Sequence, residues 1–206
     1  MTRILFQGDS ITDCSRSKDN DSFKGAGYPH LVTAHLGYEN PGEYEFYNRG
    51  ISGNKIVDLY ARMKRDVINL KPDVMSILIG VNDIWHELNK DGVEENKFEK
   101  IYDMFLAEVK EALPDIKIII FGAFISNSTR TSDDWEFLYE GTTKRAAIAK
   151  KLAEKHGHIF VDLQERFDEA IAKVPEPFWT KDGVHPTEAG HELIKRAWLE
   201  AFEKIK

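Results

Sequence analysis

The segment Val74-Met-Ser-Ile-Leu-Ile79 and the segment Ile116-Lys-Ile-Ile-Ile-Phe121 are nearly continuous runs of apolar residues. Each has the length of a β-strand, and neither shows the alternation of polar and apolar residues that marks a strand with one face in water. Strands that are apolar on both sides are typical of a parallel sheet covered by helices on both faces. These two segments therefore predict an α/β fold with a parallel sheet at its centre.

Further strand-length runs and helical segments alternate with these two strands along the chain. The additional predicted strands are Ile4–Gln7, Tyr44–Asn48 and Ile159–Asp162. Helices are indicated where apolar residues recur at steps of three and four, or where a capping residue precedes or follows the run. They cover about residues 56–70, 98–113, 135–156 and 187–205. This alternation predicts a parallel sheet that lies between two layers of helices.

Length, composition and charge indicate one domain, covering residues 1–206, that can bury a core without disulfides or a structural metal. The net charge of −7 argues against binding to nucleic-acid phosphates or to an anionic membrane surface. Cys14 is the only cysteine, which fits a reducing compartment. The first residues lack the zones of a signal peptide, and no apolar run is long enough to span a bilayer. We therefore expect a cytoplasmic protein with no nucleic-acid or membrane partner.

Three short segments of glycine and polar residues directly follow predicted strands. They are Gly8-Asp-Ser10, Gly50-Ile-Ser-Gly-Asn54 and Gly80-Val-Asn-Asp83. Because parallel strands all end at the same edge of a sheet, these distant segments should meet at one rim, where open α/β sheets bind ligands. Two long polar stretches, residues 15–27 and 126–134, are expected as loops over the same rim.

Ser10 and His185 are the candidate nucleophile and base of an acyl-transfer site. A serine hydroxyl needs an adjacent base to react at neutral pH. His185 is followed by Pro186, which disfavours helical geometry at the histidine. Asp182, three residues earlier, could accept a hydrogen bond from the imidazole Nδ1–H and fix its tautomer. A surface histidine beside a turn-forming aspartate is the alternative, which we rank lower because Ser10 is also present.

The candidate oxyanion donors are the backbone N–H groups of Ser10 and Gly53 and the side-chain amide of Asn82. A tetrahedral intermediate needs two or three such donors, each worth roughly 3 kcal/mol. Glycine at position 53 permits close approach and unusual backbone angles. An ordinary tight turn at Gly53 and a helix cap at Asn82 and Asp83 are the alternatives. We interpret Asp83 as structural support rather than as a catalytic acid.

Taken together, these segments resemble the GDSL, or SGNH, hydrolase superfamily. Residues 8–12, Gly-Asp-Ser-Ile-Thr, are similar to its first sequence block, and Gly53 corresponds to its second. Residues 80–83, Gly-Val-Asn-Asp, are similar to the third block, and residues 182–186, Asp-Gly-Val-His-Pro, to the last. The four blocks occur in the family's order and extend over essentially the whole chain. Residues around the first three blocks also resemble an intracellular bacterial branch that contains xylan-oligosaccharide acetylesterases, some of which form homo-oligomers.

The resemblance implies a flavodoxin-like, three-layer α/β/α sandwich with a five-stranded parallel sheet. It also implies ester hydrolysis through an acyl-enzyme, without a metal or another cofactor. The family's roles fall on Ser10 as nucleophile, on Asp182 and His185 as its triad partners, and on Gly53 and Asn82 as oxyanion donors beside the Ser10 N–H. A homo-oligomer is an open expectation on the same ground.

Aromatic residues near the proposed site in the sequence are the candidate substrate contacts: Tyr28, Trp85 and Trp179. Aromatic faces beside polar loops suit a sugar, and Trp85 could form the wall of a small acetyl pocket; alternatively, these rings simply pack under loops. We therefore expect a serine esterase that removes short acyl groups, above all acetyl, from a small-molecule or oligosaccharide ester. A lysophospholipase or thioesterase with the same machinery is the alternative. A carbohydrate-binding protein without turnover ranks low because the triad is intact.

Overall fold

Five parallel strands form the centre of the structure, a computed structural model that describes residues Met1–Lys206. The order in the sheet is β2-β1-β3-β4-β5, and every neighbouring pair is parallel. In the register, Phe6 of the first strand lies opposite Asn48 on one side and Ser76 on the other. The strands are β1 (Thr2–Gly8), β2 (Tyr44–Asn48), β3 (Val74–Leu78), β4 (Lys117–Phe121) and β5 (Ile159–Val161).

This strand order confirms the predicted fold class and determines where a ligand site can form. The chain runs from β1 outward to β2 and then returns to the other side of β1 to add β3. The direction of winding therefore reverses between β1 and β3, and ligands of open α/β sheets bind in the crevice beyond the carboxyl ends of such a strand pair.

Eight α-helices cover the sheet: α1 (Ser10–Asp13), α2 (Tyr28–Glu39), α3 (Ile56–Met63), α4 (Val81–Trp85), α5 (Glu95–Ala112), α6 (Trp135–His156), α7 (Leu163–Ile171) and α8 (Glu188–Phe202). Short 3₁₀ turns cover His86–Asn89 and Glu176–Phe178, and a π-helical turn covers Lys64–Ile68 directly after α3. The helix predicted over residues 56–70 is therefore not regular throughout. None of the helices combines the length and the apolar character that a membrane-crossing segment requires.

The end of α6 and the start of α8 agree with the predictions because their caps are local signals, whereas α8 ends at Phe202, before the predicted end at residue 205. Gly157 follows α6 with φ +71°, the left-handed conformation that ends many helices. The Thr187 hydroxyl oxygen accepts a hydrogen bond from the Gly190 N–H at the start of α8. Helices α2 and α7 are not predicted from the sequence. The loops expected over residues 15–27 and 126–134 contain no helix or strand.

Two hydrophobic cores lie on opposite faces of the sheet because alternate side chains of each strand point in opposite directions. Ile4 and Phe6 belong to the core under α2, α7 and α8, whereas Leu5 belongs to the core under α3 and α5 and much of α6. All three side chains are completely buried. This coverage of both faces explains why the central strands are apolar on both sides.

Candidate active site

Ser10 lies at the start of a one-turn helix directly after β1. The carboxylate Oδ1 of Asp9 accepts a hydrogen bond from the Ile11 N–H at 3.0 Å and caps this turn. The preceding residue, Gly8, has φ +157°, and a Cβ at that position would lie 2.4 Å from the Leu78 carbonyl oxygen. Only glycine allows β1 to approach the end of β3 this closely. Ser10 is thereby held at the rim between these two strands, where the winding reverses.

The structure brings Ser10, His185 and Asp182 into one chain of hydrogen bonds. Ser10 Oγ lies 2.9 Å from His185 Nε2, although 175 positions separate the two residues. His185 Nδ1 lies 2.8 Å from Asp182 Oδ2. Because an ionised carboxylate only accepts hydrogen bonds, Nδ1 carries the imidazole proton, which leaves Nε2 free to accept the Ser10 hydroxyl proton.

The second carboxylate oxygen of Asp182 fixes the turn that carries the histidine. Asp182 Oδ1 accepts hydrogen bonds from the backbone N–H of His185 at 2.8 Å and of Val184 at 3.1 Å. Burial by itself raises the pKa of Asp182, but these bonds and the one from the imidazole outweigh it and hold the pKa below its usual range. Asp182 therefore stays ionised at neutral pH and can stabilise an imidazolium.

Residues 49–54, called the Gly53 segment below, are hydrogen-bonded both to residues 8–13, called the nucleophile turn after the candidate nucleophile Ser10, and to Asn82. The Ile51 N–H donates to the Gly8 carbonyl at 3.1 Å, and Gly53 itself adopts φ +80°. Asn82 Nδ2 donates one of its two hydrogens to the Asn54 carbonyl at 3.1 Å. The other hydrogen of the Asn82 amide is then available for an oxyanion.

Asp13, to which the sequence analysis assigns no role, binds the Gly53 segment at Ser52. Asp13 Oδ2 accepts hydrogen bonds from the Ser52 N–H at 3.0 Å and from the Ser52 hydroxyl at 2.9 Å, and it pairs with Lys18 Nζ at 3.1 Å. Burial raises the pKa of this carboxyl, but the Ser52 bonds and Lys18 outweigh burial, so its pKa lies below the usual range. No motif predicts this bridge, because one of its two bonds ends on the backbone.

Two further carboxyl groups, Asp9 and Asp83, are buried beneath the rim. Asp83 Oδ1 accepts a hydrogen bond from the Ile56 N–H at the start of α3, so it supports a distant helix and does not cap its own. Burial raises the pKa of both carboxyl groups to about 7. One oxygen of each has no hydrogen-bonding partner.

Cys14 lies close to the nucleophile turn, but its environment does not activate the thiol. The Tyr28 N–H donates to His191 Nδ1 at 3.2 Å, so the neutral His191 ring carries its proton on Nε2. That proton points towards Cys14 Sγ at 3.5 Å, which means that His191 cannot accept a proton from the thiol. Burial also raises the pKa of Cys14 and lowers that of His191 to about 4.

The three aromatic residues proposed as substrate contacts have different surroundings. The prediction for Tyr28 is wrong: its side chain is completely buried in the core, with its hydroxyl 3.1 Å from Thr12 Oγ1. Trp179 donates its indole N–H to the Val174 carbonyl and lines a groove beside α7 and α8 that none of the triad residues lines. Trp85 is half-buried at the end of α4, three residues after Asn82, and its role as an acyl-pocket wall stays a prediction.

Arg130 is a further neighbour of the proposed triad. Its Nη1 lies 3.3 Å from Asp182 Oδ2, and its side chain is 69% exposed. At that exposure, the ion pair contributes at most a small stabilisation. The structure contains no group of three or more histidine, cysteine, aspartate or glutamate side chains placed to bind a metal ion.

Comparison with known proteins identifies similar chains over nearly the full length. The model of the GDSL-like lipase/acylhydrolase family matches residues 6–193. An acetylxylan esterase from Geobacillus stearothermophilus is 33% identical over an alignment of 213 positions, which covers 99% of this chain and 96% of that protein.

Solved structures of similar proteins share the fold closely. A protein described as a GDSL-like lipase from Parabacteroides merdae has a TM-score of 0.90 and 37% identity, with 98% of this chain and 95% of that chain covered. The acetylxylan esterase Axe2 from Geobacillus stearothermophilus has a TM-score of 0.86 and 32% identity, with 97% and 93% covered.

Proposed function

Because the chain belongs to the GDSL-like lipase/acylhydrolase family, we propose that this carboxylic ester hydrolase removes acetyl groups from a carbohydrate, with Ser10 as its nucleophile. His185 is the general base and acid in this proposal, and Asp182 is the carboxylate that orients it. The observation that carries the catalytic assignment is the continuous chain of hydrogen bonds from Ser10 Oγ through the imidazole to Asp182.

The proposed reaction has two steps. In the first, Ser10 Oγ forms a bond to the acetyl carbon while its proton moves to His185 Nε2. The tetrahedral oxyanion accepts hydrogen bonds from the Ser10 and Gly53 N–H groups and from the Asn82 amide. The C–O bond to the sugar then breaks, and the imidazolium returns the proton to the leaving sugar oxygen. In the second step, water attacks the acetyl-enzyme through the same base, which releases acetate and restores Ser10.

The exposure of the triad supports a polar leaving group. The side chain of His185 is 46% exposed, whereas that of Asp182 is only 15% exposed. A hydroxyl-rich sugar can therefore reach the base without losing most of its hydration, which would be costly for its unpaired hydroxyl groups. The name of the acetylxylan esterase relative supports the same substrate class.

Initial rates on matched esters test this proposal. We expect kcat/KM for acetylated xylo-oligosaccharides to exceed that for sugars acylated with octanoate, and for lysophospholipids. A preference for the longer chains would overturn the acetyl assignment and favour a lipase or thioesterase. Ser10→Ala should lower kcat on 4-nitrophenyl acetate by at least about 10³-fold with an unchanged melting temperature. Activity close to that of the unmodified protein would overturn the role of Ser10.

A further inference from the structure

The guanidinium of Arg62 is buried beneath the segment that carries Gly53. Its side chain is only 9% exposed, and its planar group donates to two backbone carbonyls and to two side chains. Nη2 donates to the Gly8 carbonyl at 3.2 Å, two residues before Ser10. Nη1 donates to the Arg49 carbonyl at 2.7 Å, where the chain leaves β2. One side chain thus joins the nucleophile turn to the beginning of the Gly53 segment.

The Nε atom of Arg62 forms a hydrogen bond to the last residue of the same segment. Arg62 Nε donates to Asn54 Oδ1 at 2.8 Å, and because arginine has no acceptor, the amide oxygen of Asn54 must face it. The main-chain carbonyl of Asn54 accepts the hydrogen bond from Asn82 Nδ2 at 3.1 Å. Asn54 therefore lies between Arg62 and the Asn82 amide, and it directly follows Gly53 in the chain.

Asp66 holds Arg62 in this orientation. Its Oδ2 accepts a hydrogen bond from Arg62 Nη1 at 2.8 Å, and its side chain is only 6% exposed. Asp66 lies in the π-helical turn Lys64–Ile68, in which the Asn69 N–H donates to the Lys64 carbonyl. Such turns are rare and frequently occur at functional sites. The irregular end of α3 is thus the place where the buried ion pair forms.

We propose that Arg62 is a positioning residue for the oxyanion hole. Through Asn54, Arg62 fixes the positions of the Gly53 N–H and the Asn82 amide. The proposal rests on the proposed function, because it assumes that these two groups bind an oxyanion. The geometry requires an arginine, because the three nitrogens of one planar group donate four hydrogen bonds to four different residues. A lysine ammonium carries the same charge but is a compact group with three donors, and cannot occupy those positions together.

Arg62→Lys tests this role, and Arg65→Lys is the matched control. Arg65 pairs with the same Asp66, but its side chain is 71% exposed and it donates to no part of the Gly53 segment. We expect Arg62→Lys to lower kcat on 4-nitrophenyl acetate about 10- to 100-fold, since a misplaced oxyanion donor costs up to about 10³-fold. KM should stay within about twofold, and Arg65→Lys should leave both constants unchanged.

A double-mutant cycle with Asn82→Ala separates positioning from a general structural effect. If Arg62 acts through the oxyanion donors, Arg62→Lys should lower kcat several-fold less in the Asn82→Ala background than in the unmodified protein. Equal losses in both backgrounds would overturn the proposal. Should Arg62→Lys fail to fold, Asn54→Ala removes the acceptor for Nε while it keeps the carbonyl that binds Asn82, and the same cycle is measured with it.

The cycle also distinguishes this proposal from the proposed function. An Asn82→Ala variant with unchanged kcat would refute the oxyanion role of Asn82 itself, and the role of Arg62 with it. A strongly impaired Asn82→Ala variant combined with additive losses would refute only the role of Arg62.

Discussion

Replacement of Asp182 by asparagine should reverse the tautomer of His185 without disturbing the turn. Asp182 Oδ1 accepts hydrogen bonds from two backbone N–H groups, those of Val184 and His185. An asparagine must keep its carbonyl oxygen on that side, because an NH₂ group there would face two donors. Its NH₂ group therefore faces His185 Nδ1, which must then accept. The neutral imidazole carries its proton on Nε2 and can no longer accept the proton of Ser10.

The expected loss in kcat is about 10⁴-fold, the value known for the equivalent change in a serine protease, and corresponds to about 5.5 kcal/mol at 1.36 kcal/mol per tenfold. The fold should be nearly unaffected because both backbone bonds to Oδ1 remain. Asp182→Ala removes those bonds as well, and each costs about 1 kcal/mol. We therefore expect Asp182→Ala to lower the melting temperature, whereas Asp182→Asn should not.

The assay is kcat on 4-nitrophenyl acetate, together with thermal melting of each variant. Arg130→Ala is the control, because Arg130 lies 3.3 Å from the same Oδ2 but is 69% exposed; its kcat should change less than about threefold. An Asp182→Asn variant that keeps kcat within tenfold of the unmodified protein would show that the tautomer does not limit the reaction. It would remove Asp182 from the proposed triad.

Two further predictions concern the packing and the charge beneath the rim. Gly50→Ala should lower kcat at least about 100-fold. The new Cβ would lie 2.3 Å from the backbone nitrogen of Asp13 and 2.7 Å from the carbonyl carbon of Thr12, so the backbone has to move. Gly37→Ala is the control and should leave kcat unchanged, because the space around its Cβ is open. Asp83→Asn should flatten the pH dependence of stability. The native pKa of Asp83 is raised to about 7 from an ordinary value of 3.8, so its contribution to stability is complete below pH 4 and is lost as the pH rises through 7. Between pH 6 and pH 8.5, the free energy of unfolding, measured by chemical denaturation, should fall by about 1–2 kcal/mol less in the variant than in the unmodified protein. An equal fall in both proteins would contradict the raised pKa of Asp83.

The fold could be predicted because its signals are local and repeated. Continuous apolar runs define β3 and β4, and the cap residues Gly157 and Thr187 fix helix ends from one position each. Helix α2 could not be predicted because its sequence has no clear amphipathic pattern. Its buried side chains include a proline and a tyrosine, and its other face carries histidine, glycine and apolar residues instead of charged ones. The π turn after α3 could not be predicted either. It changes the backbone hydrogen bonds but largely keeps the spacing of apolar residues at steps of three and four.

The candidate site could be predicted only where it coincides with short motifs. Ser10, Asp182 and His185 each lie within two residues of a glycine or proline that marks a turn, and the structure brings all three together. The substrate contacts rest on proximity in sequence, and the example of Tyr28 shows why that signal fails. A residue at the start of a helix can point into the core as readily as towards the rim, and only the rotation of α2 decides between them.

The residues that arrange the site are invisible to motifs for a specific physical reason. Asp13 bonds to the Ser52 N–H, and Arg62 bonds to the carbonyls of Gly8 and Arg49. Each of these contacts joins a side chain to a backbone group, and every residue type supplies the same backbone group. For these backbone contacts the identity of the partner residue is therefore unconstrained, and no residue pattern records them. Because such side chains do not contact the ester, their substitution should lower kcat while KM changes little.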